Sequence, residues 1–212
     1  MARDDWYRNT DWSPAIEKYF FEKLACAKSQ KYQYLVLQAG ALSQSHPKVA
    51  LRLVAQYFET RPDQQTAFID DNRALGVKAA ASIAMRDLSA ALNAYRAILE
   101  LERVKPSFKS TAFLDYPFLV ASAHISDEYE AALAVLEERK GDVAFPAGRY
   151  RWNASYALIL ADLGKASEAS SYASAALAAA AETRSEFLNH PRVGLVMSSD
   201  DNTYNELQKL CV

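Results

Sequence analysis

Three histidines, two cysteines and a scatter of arginines are the residues of this 212-residue chain best suited to chemistry. Their spacing decides how far each can be taken. His46, His124 and His190 lie far apart, and neither HExxH nor a paired-cysteine pattern occurs, so no metal centre is expected. No cofactor is expected either. The glycines are scattered at Gly40, Gly76, Gly141, Gly148, Gly164 and Gly194, and none belongs to a GxxxxGK[ST] or GxGxxG loop that would cradle phosphate. Cys26 sits beside Ala25 and Ala27 with no basic neighbour to lower its pKa, and Cys211 lies near the other end. Both therefore read as free thiols, neither nucleophile nor disulfide. Asp70-Asp71 and Glu137-Glu138 are adjacent pairs. Neighbours along a helix point different ways, so these pairs make solvated charges and not an acid/base couple. His46 and His190 each precede proline, in Ser45-His-Pro-Lys-Val-Ala-Leu51 and Asn189-His-Pro-Arg-Val-Gly-Leu195, which read as turns feeding a helix or an ordered loop.

The elements that would position these residues are helices. The chain is 50% hydrophobic and 24% charged, enough to bury a sizeable core. Apolar residues recur at helical spacing: Ala50, Leu53, Val54, Tyr57 and Phe58; Leu88, Ala91, Leu92, Tyr95, Ile98 and Leu99; Tyr129, Ala132, Leu133 and Leu136. Hardly any stretch alternates as a strand would, and the fold class expected is all-α. Ser13-Pro14, His46-Pro47 and Pro62-Asp63 read as helix starts, with Asp87 and Ser126 as caps, while Pro62, Pro106 and Gly141 close the helices before them. The predicted helices run 14–28, 31–44, 47–59, 64–85, 88–103, 110–123, 127–139, 149–163 and 165–183, with a weaker one at 203–210.

Charge and patterning also bound the partners. Lys and Arg number 24 against 26 Asp and Glu, a net charge of -2, so nucleic acid is not an expected partner. The opening residues are polar, and no run approaches the ~18 apolar residues a membrane span needs. A cytoplasmic protein with no membrane partner is expected.

An internal repeat underlies the helices. Val49-Ala-Leu-Arg-Leu-Val-Ala-Gln-Tyr57, Ala90-Ala-Leu-Asn-Ala-Tyr-Arg-Ala-Ile98 and Ala131-Ala-Leu-Ala-Val-Leu136 share a small-Ala-Leu step. Their central alanines, Ala50, Ala91 and Ala132, stand 41 residues apart, and Ala169 follows after a further 37. With Trp152-Asn-Ala-Ser-Tyr-Ala157, Leu163-Gly164-Lys165 and Ala169, these units resemble tetratricopeptide repeats. Their period is 41, against about 34 for the standard repeat. The opening Asp4-Asp5-Trp6-Tyr7-Arg8-Asn9-Thr10 and the later His190-Pro191-Arg192-Val193-Gly194-Leu195 are also similar to an uncharacterised bacterial family.

The resemblance implies antiparallel helix pairs stacked as a TPR-like α-solenoid, in which each pair buries its apolar face on the next. The expected domain is a single one over 1–212, with an N-terminal cap helix in 1–30, about four helix pairs in 31–183 and a capping tail in 184–212. First helices of each pair would line a groove. Mapping the alanine register back puts Tyr32, Arg73, His124, Arg149 and Arg151 at or near it, cations suited to an acidic segment or a terminal carboxylate. The Lys and Asn positions of the family's carboxylate clamp are not reproduced. Trp6 and Trp12, in a segment rich in charge, either fold back on the core or form a sticky partner-binding patch. The expected function is a non-catalytic protein- or peptide-binding scaffold or adaptor, in one version a bacterial regulatory or neutralising partner. The alternatives are a small helical enzyme assembled from dispersed His, Cys and Arg, and an RNA-binding helical array.

Overall fold

The computed structural model describes residues 5–61, 64–185, 190–197 and 202–211, with the backbone alone for 64–67. Among the described residues there are ten α-helices and no strand. They are α1 (Pro14–Cys26), α2 (Lys31–Leu42), α3 (Pro47–Thr60), α4 (Gln64–Ala84), α5 (Leu88–Val104), α6 (Ala112–Ser122), α7 (Tyr129–Glu138), α8 (Pro146–Asp162), α9 (Ala166–Ala180) and α10 (Asn202–Leu210). None of the described helices is long and apolar enough to cross a membrane.

Local chemistry explains most of the boundaries. Ser13 Oγ accepts the Ile16 N–H at 3.3 Å, and Asp87 Oδ1 accepts the Ala90 N–H at 3.0 Å, caps worth about 1 kcal/mol each. Pro14, Pro47 and Pro146 take first-turn positions, where a missing N–H costs nothing. α8 therefore starts at Pro146, one turn before the expected Arg149. Ser126 differs from expectation too. It opens a single 3-10 turn, Ser126–Glu128, its hydroxyl lies 3.5 Å from Asp127 Oδ1, and α7 begins at Tyr129 with no side-chain cap. Pro62 and Asp63 lie outside the described residues.

The repeated alanines share one environment. Ala50 on α3, Ala91 on α5, Ala132 on α7 and Ala169 on α9 are all 0% exposed. A methyl at these points lets a neighbouring helix approach closely, and a larger side chain would overpack the contact. The turns ahead of three of these alanines also match. Arg86 (φ 61°), His124 (φ 51°) and Gly164 (φ 76°) are left-handed. The following amides of Asp87, Ile125 and Lys165 donate back to the carbonyls of Ser82, Val120 and Leu160 at 2.9, 3.0 and 2.9 Å. This is the Schellman end, with the left-handed residue at C′.

The chain divides into two compact units, Met1–Ala112 and Phe113–Val212. In the first, α2 packs on α3 and α4, α3 on α4, and α4 on α5. Phe20, Leu35, Ala39, Leu42, Leu53 and Tyr57 form the centre of its core, each almost wholly buried. Full burial of a leucine or phenylalanine side chain is worth roughly 1.5–3 kcal/mol. Charge enters this interior at Asp71, which is 5% exposed. Asp71 Oδ1 accepts the Tyr57 hydroxyl at 2.7 Å and faces Arg61 Nε at 3.1 Å, which joins the end of α3 to α4. In the second unit α8 packs along α9, and α10 lies against both. Its small core residues, Ala154, Ala157, Ala173 and Ala176, are closed by Leu207 of α10.

Candidate functional site

The first unit carries a cleft of about 680 Å³ lined by residues of α2, of α4 and of the segment before α1. Val36, Leu37 and Val77 supply apolar wall, Gly40, Ala41, Gly76 and Ala80 the small floor, and Arg8, Thr10, Ser43 and Arg73 the polar edge. Both glycines are inside helices, where each costs about 0.5–1 kcal/mol relative to alanine. Packing does not demand them. A Cβ on Gly76 would meet nothing within 4 Å, and one on Gly40 would touch Val77 Cγ2 at 3.5 Å, an ordinary contact. What the glycines do is leave bare backbone facing the cleft. The face of α4 continues beyond it: Ile69 and Ile83, two turns either side of Gly76, are 49% and 36% exposed.

Arg8 reaches this cleft because its segment is strapped to α2. Gln38, 0% exposed, donates from Nε2 to the Asn9 carbonyl at 2.8 Å and accepts at Oε1 from the Asn9 N–H and Nδ2, both at 3.0 Å. A buried amide with all these bonds made holds its partner firmly, since an unpaired one would cost about 1–3 kcal/mol. Ser45 Oγ donates to the Thr10 carbonyl at 2.8 Å, and His46 Nε2 lies 3.1 Å from Asp11 Oδ1. Aromatic packing completes the strap. The Trp6 ring lies 4.9 Å from Tyr34 and 5.5 Å from Phe20; the Trp12 ring lies 5.7 Å from Phe20 and its Nε1 donates to Glu17 at 2.9 Å. Both tryptophans are thus folded back against the core.

The two cleft arginines differ. Arg73 faces Asp70, one turn earlier, at 3.5 Å. Desolvation raises the Asp70 pKa, with Arg73 opposing. The Arg8 guanidinium lies over the Tyr7 ring at 5.5 Å, and among the described residues no carboxylate is within ion-pair reach of it.

The remaining expected site residues are dispersed. Tyr32, in the first turn of α2, packs half-buried against the core. Arg149 Nη2 donates to both carboxylate oxygens of Glu182 at 3.0 and 2.9 Å, and its Nη1 to the Ala144 carbonyl at 2.8 Å. Arg151 is paired with Asp115 of α6 and lies over the Phe118 ring at 5.8 Å. Both are committed to intramolecular partners. Cys26 and Cys211 are free and exposed.

His124 occupies a second constellation, in a cleft of about 530 Å³ that also involves Tyr129, Glu130 and Asp162. Its Nδ1 lies 2.8 Å from Asp162 Oδ2 and its Nε2 lies 3.5 Å from Glu206 Oε2 on α10. The Tyr129 hydroxyl donates to the same Asp162 oxygen. The bond to Asp162 raises the His124 pKa against the opposing effect of burial. Desolvation alone would raise Asp162, yet the bonds from Tyr129 and His124 hold it below its usual range. Burial first, then the Asp162 bond, pushes the Tyr129 phenol upward. With a carboxylate before each ring nitrogen, the group is built to hold an imidazolium and to tie α10 to the end of α8. Among the described residues no group of three or more His, Cys, Asp or Glu is arranged to hold a metal ion.

Of the residues that line the cleft, sequence reasoning named Arg73 and did not name Arg8, Gly40 or Gly76 as site residues. The usable signal was a glycine in the middle of each of two strongly patterned helices, with no turn there to require it. No protein-family model matches the chain, and no curated protein and no solved structure matches it.

Proposed function

We propose that this chain is a non-catalytic scaffold or adaptor, a TPR-like α-solenoid that holds a protein or peptide segment in the cleft between α2 and α4. The packing of α2 on both α3 and α4, the four buried repeat alanines and the three matching helix ends support the solenoid reading. In such a stack α2 and α4 are the first helices of successive pairs, and the groove runs over them. A cytoplasmic setting and a role in occupying another protein's working surface belong to the same proposal. The observation that carries it is the cleft floor: two helical glycines whose replacement the surrounding packing would permit. Bare backbone in a cleft lets a second chain approach closely, at a standing cost to the fold.

The test is selection of displayed random peptides on the purified chain, followed by titration of the enriched sequences. Saturable binding lost in Gly76→Leu, with helical circular dichroism unchanged, supports the cleft. Enriched peptides that bind Gly76→Leu as tightly as the wild type would refute it.

A further inference from the structure

Resting on that reading, we infer that the segment held by the α2/α4 cleft is acidic, and that it sets a side-chain carboxylate against Arg8 and Arg73 while laying apolar neighbours on Val36, Leu37 and Val77. The lining carries the argument. The chain as a whole has a net charge of -2, yet the residues around this cleft include two arginines and no Asp or Glu. Arg8 is left without a carboxylate among the described residues, and it is brought to the edge by the buried Gln38–Asn9 bonds. Among the described residues Arg73 faces only Asp70, whose charge desolvation disfavours. A guanidinium presents a planar fork of donors that a carboxylate satisfies with two bonds. The apolar wall and the bare glycine floor suit a polypeptide. A nucleic acid would need more phosphate-neutralising cations than two, and aromatic platforms that this lining lacks.

The experiment is fluorescence anisotropy on the full chain with two labelled twelve-residue peptides, both with blocked ends. One alternates Glu with Leu and Val; its twin carries Gln at every Glu. The acidic peptide is expected to bind at least tenfold more tightly at low salt, with the gap closing as salt rises. Arg8→Gln and Arg73→Gln should each reduce its affinity severalfold, and the double variant should erase the preference while leaving the twin unchanged. Both arginines are on the surface, so circular dichroism should show an intact fold in each variant. Equal binding of the two peptides, both blocked by Gly76→Leu, would overturn the acidic specificity and leave the scaffold reading standing. Binding of neither peptide would overturn this inference, and only failure of the peptide selection as well would remove the scaffold reading. Displacement of the acidic peptide by a ten-nucleotide single strand at lower concentration than by unlabelled peptide would also overturn it.

Discussion

Replacing Gly76 by alanine should make the protein more stable and a worse binder. A glycine inside a helix is about 1 kcal/mol less favourable than alanine, because the unfolded chain has more freedom to lose. Nothing offsets that gain at Gly76, where the new methyl meets no atom within 4 Å. At Gly40 the methyl makes an ordinary 3.5 Å contact with Val77 Cγ2, so Gly40→Ala should gain a similar amount. The two line one cleft, so the pair should add up to about 2 kcal/mol, and a double-mutant cycle reads any coupling between the two methyls. Urea unfolding measures this through Trp6 and Trp12, which belong to the first unit. A Trp152→Phe background removes the remaining tryptophan, which lies in the second. For a unit of this size, 1 kcal/mol corresponds to roughly 4–8 °C in Tm. A decrease in stability for Gly76→Ala would show that the space beside it is filled, and the functional account of the glycine would fall with it. An increase accompanied by weaker peptide binding is the signature of a stability cost kept for function.

Other outcomes follow from the same geometry. Asp71→Ala should cost about 3–5 kcal/mol, because it removes the carboxylate facing Arg61, and the acceptor of the Tyr57 hydroxyl, in a buried setting; Asp71→Asn, which still offers an acceptor, should cost less. A denaturation midpoint within 1 kcal/mol of wild type for Asp71→Ala would contradict that burial argument. Arg86→Gly should gain about 0.5–1 kcal/mol by relieving a left-handed φ of 61°, and Arg86→Val should lose stability; thermal unfolding of the two variants checks the order. His124 has a raised folded pKa, so its contribution is full below the unfolded value near 6.5 and is lost as pH rises through the folded one. The stability gap between wild type and His124→Asn should narrow from pH 5.5 to 8, by less than about 1 kcal/mol since the ring is half exposed. Asn also tolerates the left-handed conformation, so any backbone offset is the same at every pH; a gap independent of pH would refute the clasp with Asp162 and Glu206.

How much of this was legible in sequence depends on the range of the interaction. Helix positions were legible because their causes are local: the apolar stripe of α3, the proline at Pro47 and the carboxylate at Asp87 all act within a few residues. Two of the three left-handed helix ends were not, since arginine and histidine stand at Arg86 and His124 where glycine would have announced the turn. Ser126 misled for a similar reason: a hydroxyl in the right place precedes a 3-10 turn and not the helix itself. The cleft was half legible. Mapping the alanine spacing back pointed to Arg73, but Arg8 is placed by Gln38, 29 residues beyond its partner Asn9, through a bond that no periodicity encodes. Arg149 and Arg151 were read as groove cations, and the structure gives them Glu182 and Asp115, 33 and 36 residues away. A charge pattern shows that such a residue is cationic; only the tertiary fold shows whether it is already paired.

The matching helix ends carry a consequence for how the molecule breathes. Asp87, Ile125 and Lys165 stand in connections between helices, where backbone amides ordinarily trade hydrogen with water quickly. Each of these amides is instead bonded back across the turn, at 2.9, 3.0 and 2.9 Å. Their exchange is then governed by opening of the preceding helix and not by the corner itself, so these three corners should be as long-lived as the rods they join. Local opening is left to connections closed without a left-handed end of this kind, among them 43–46, where α2 gives way to α3 beside the mouth of the cleft.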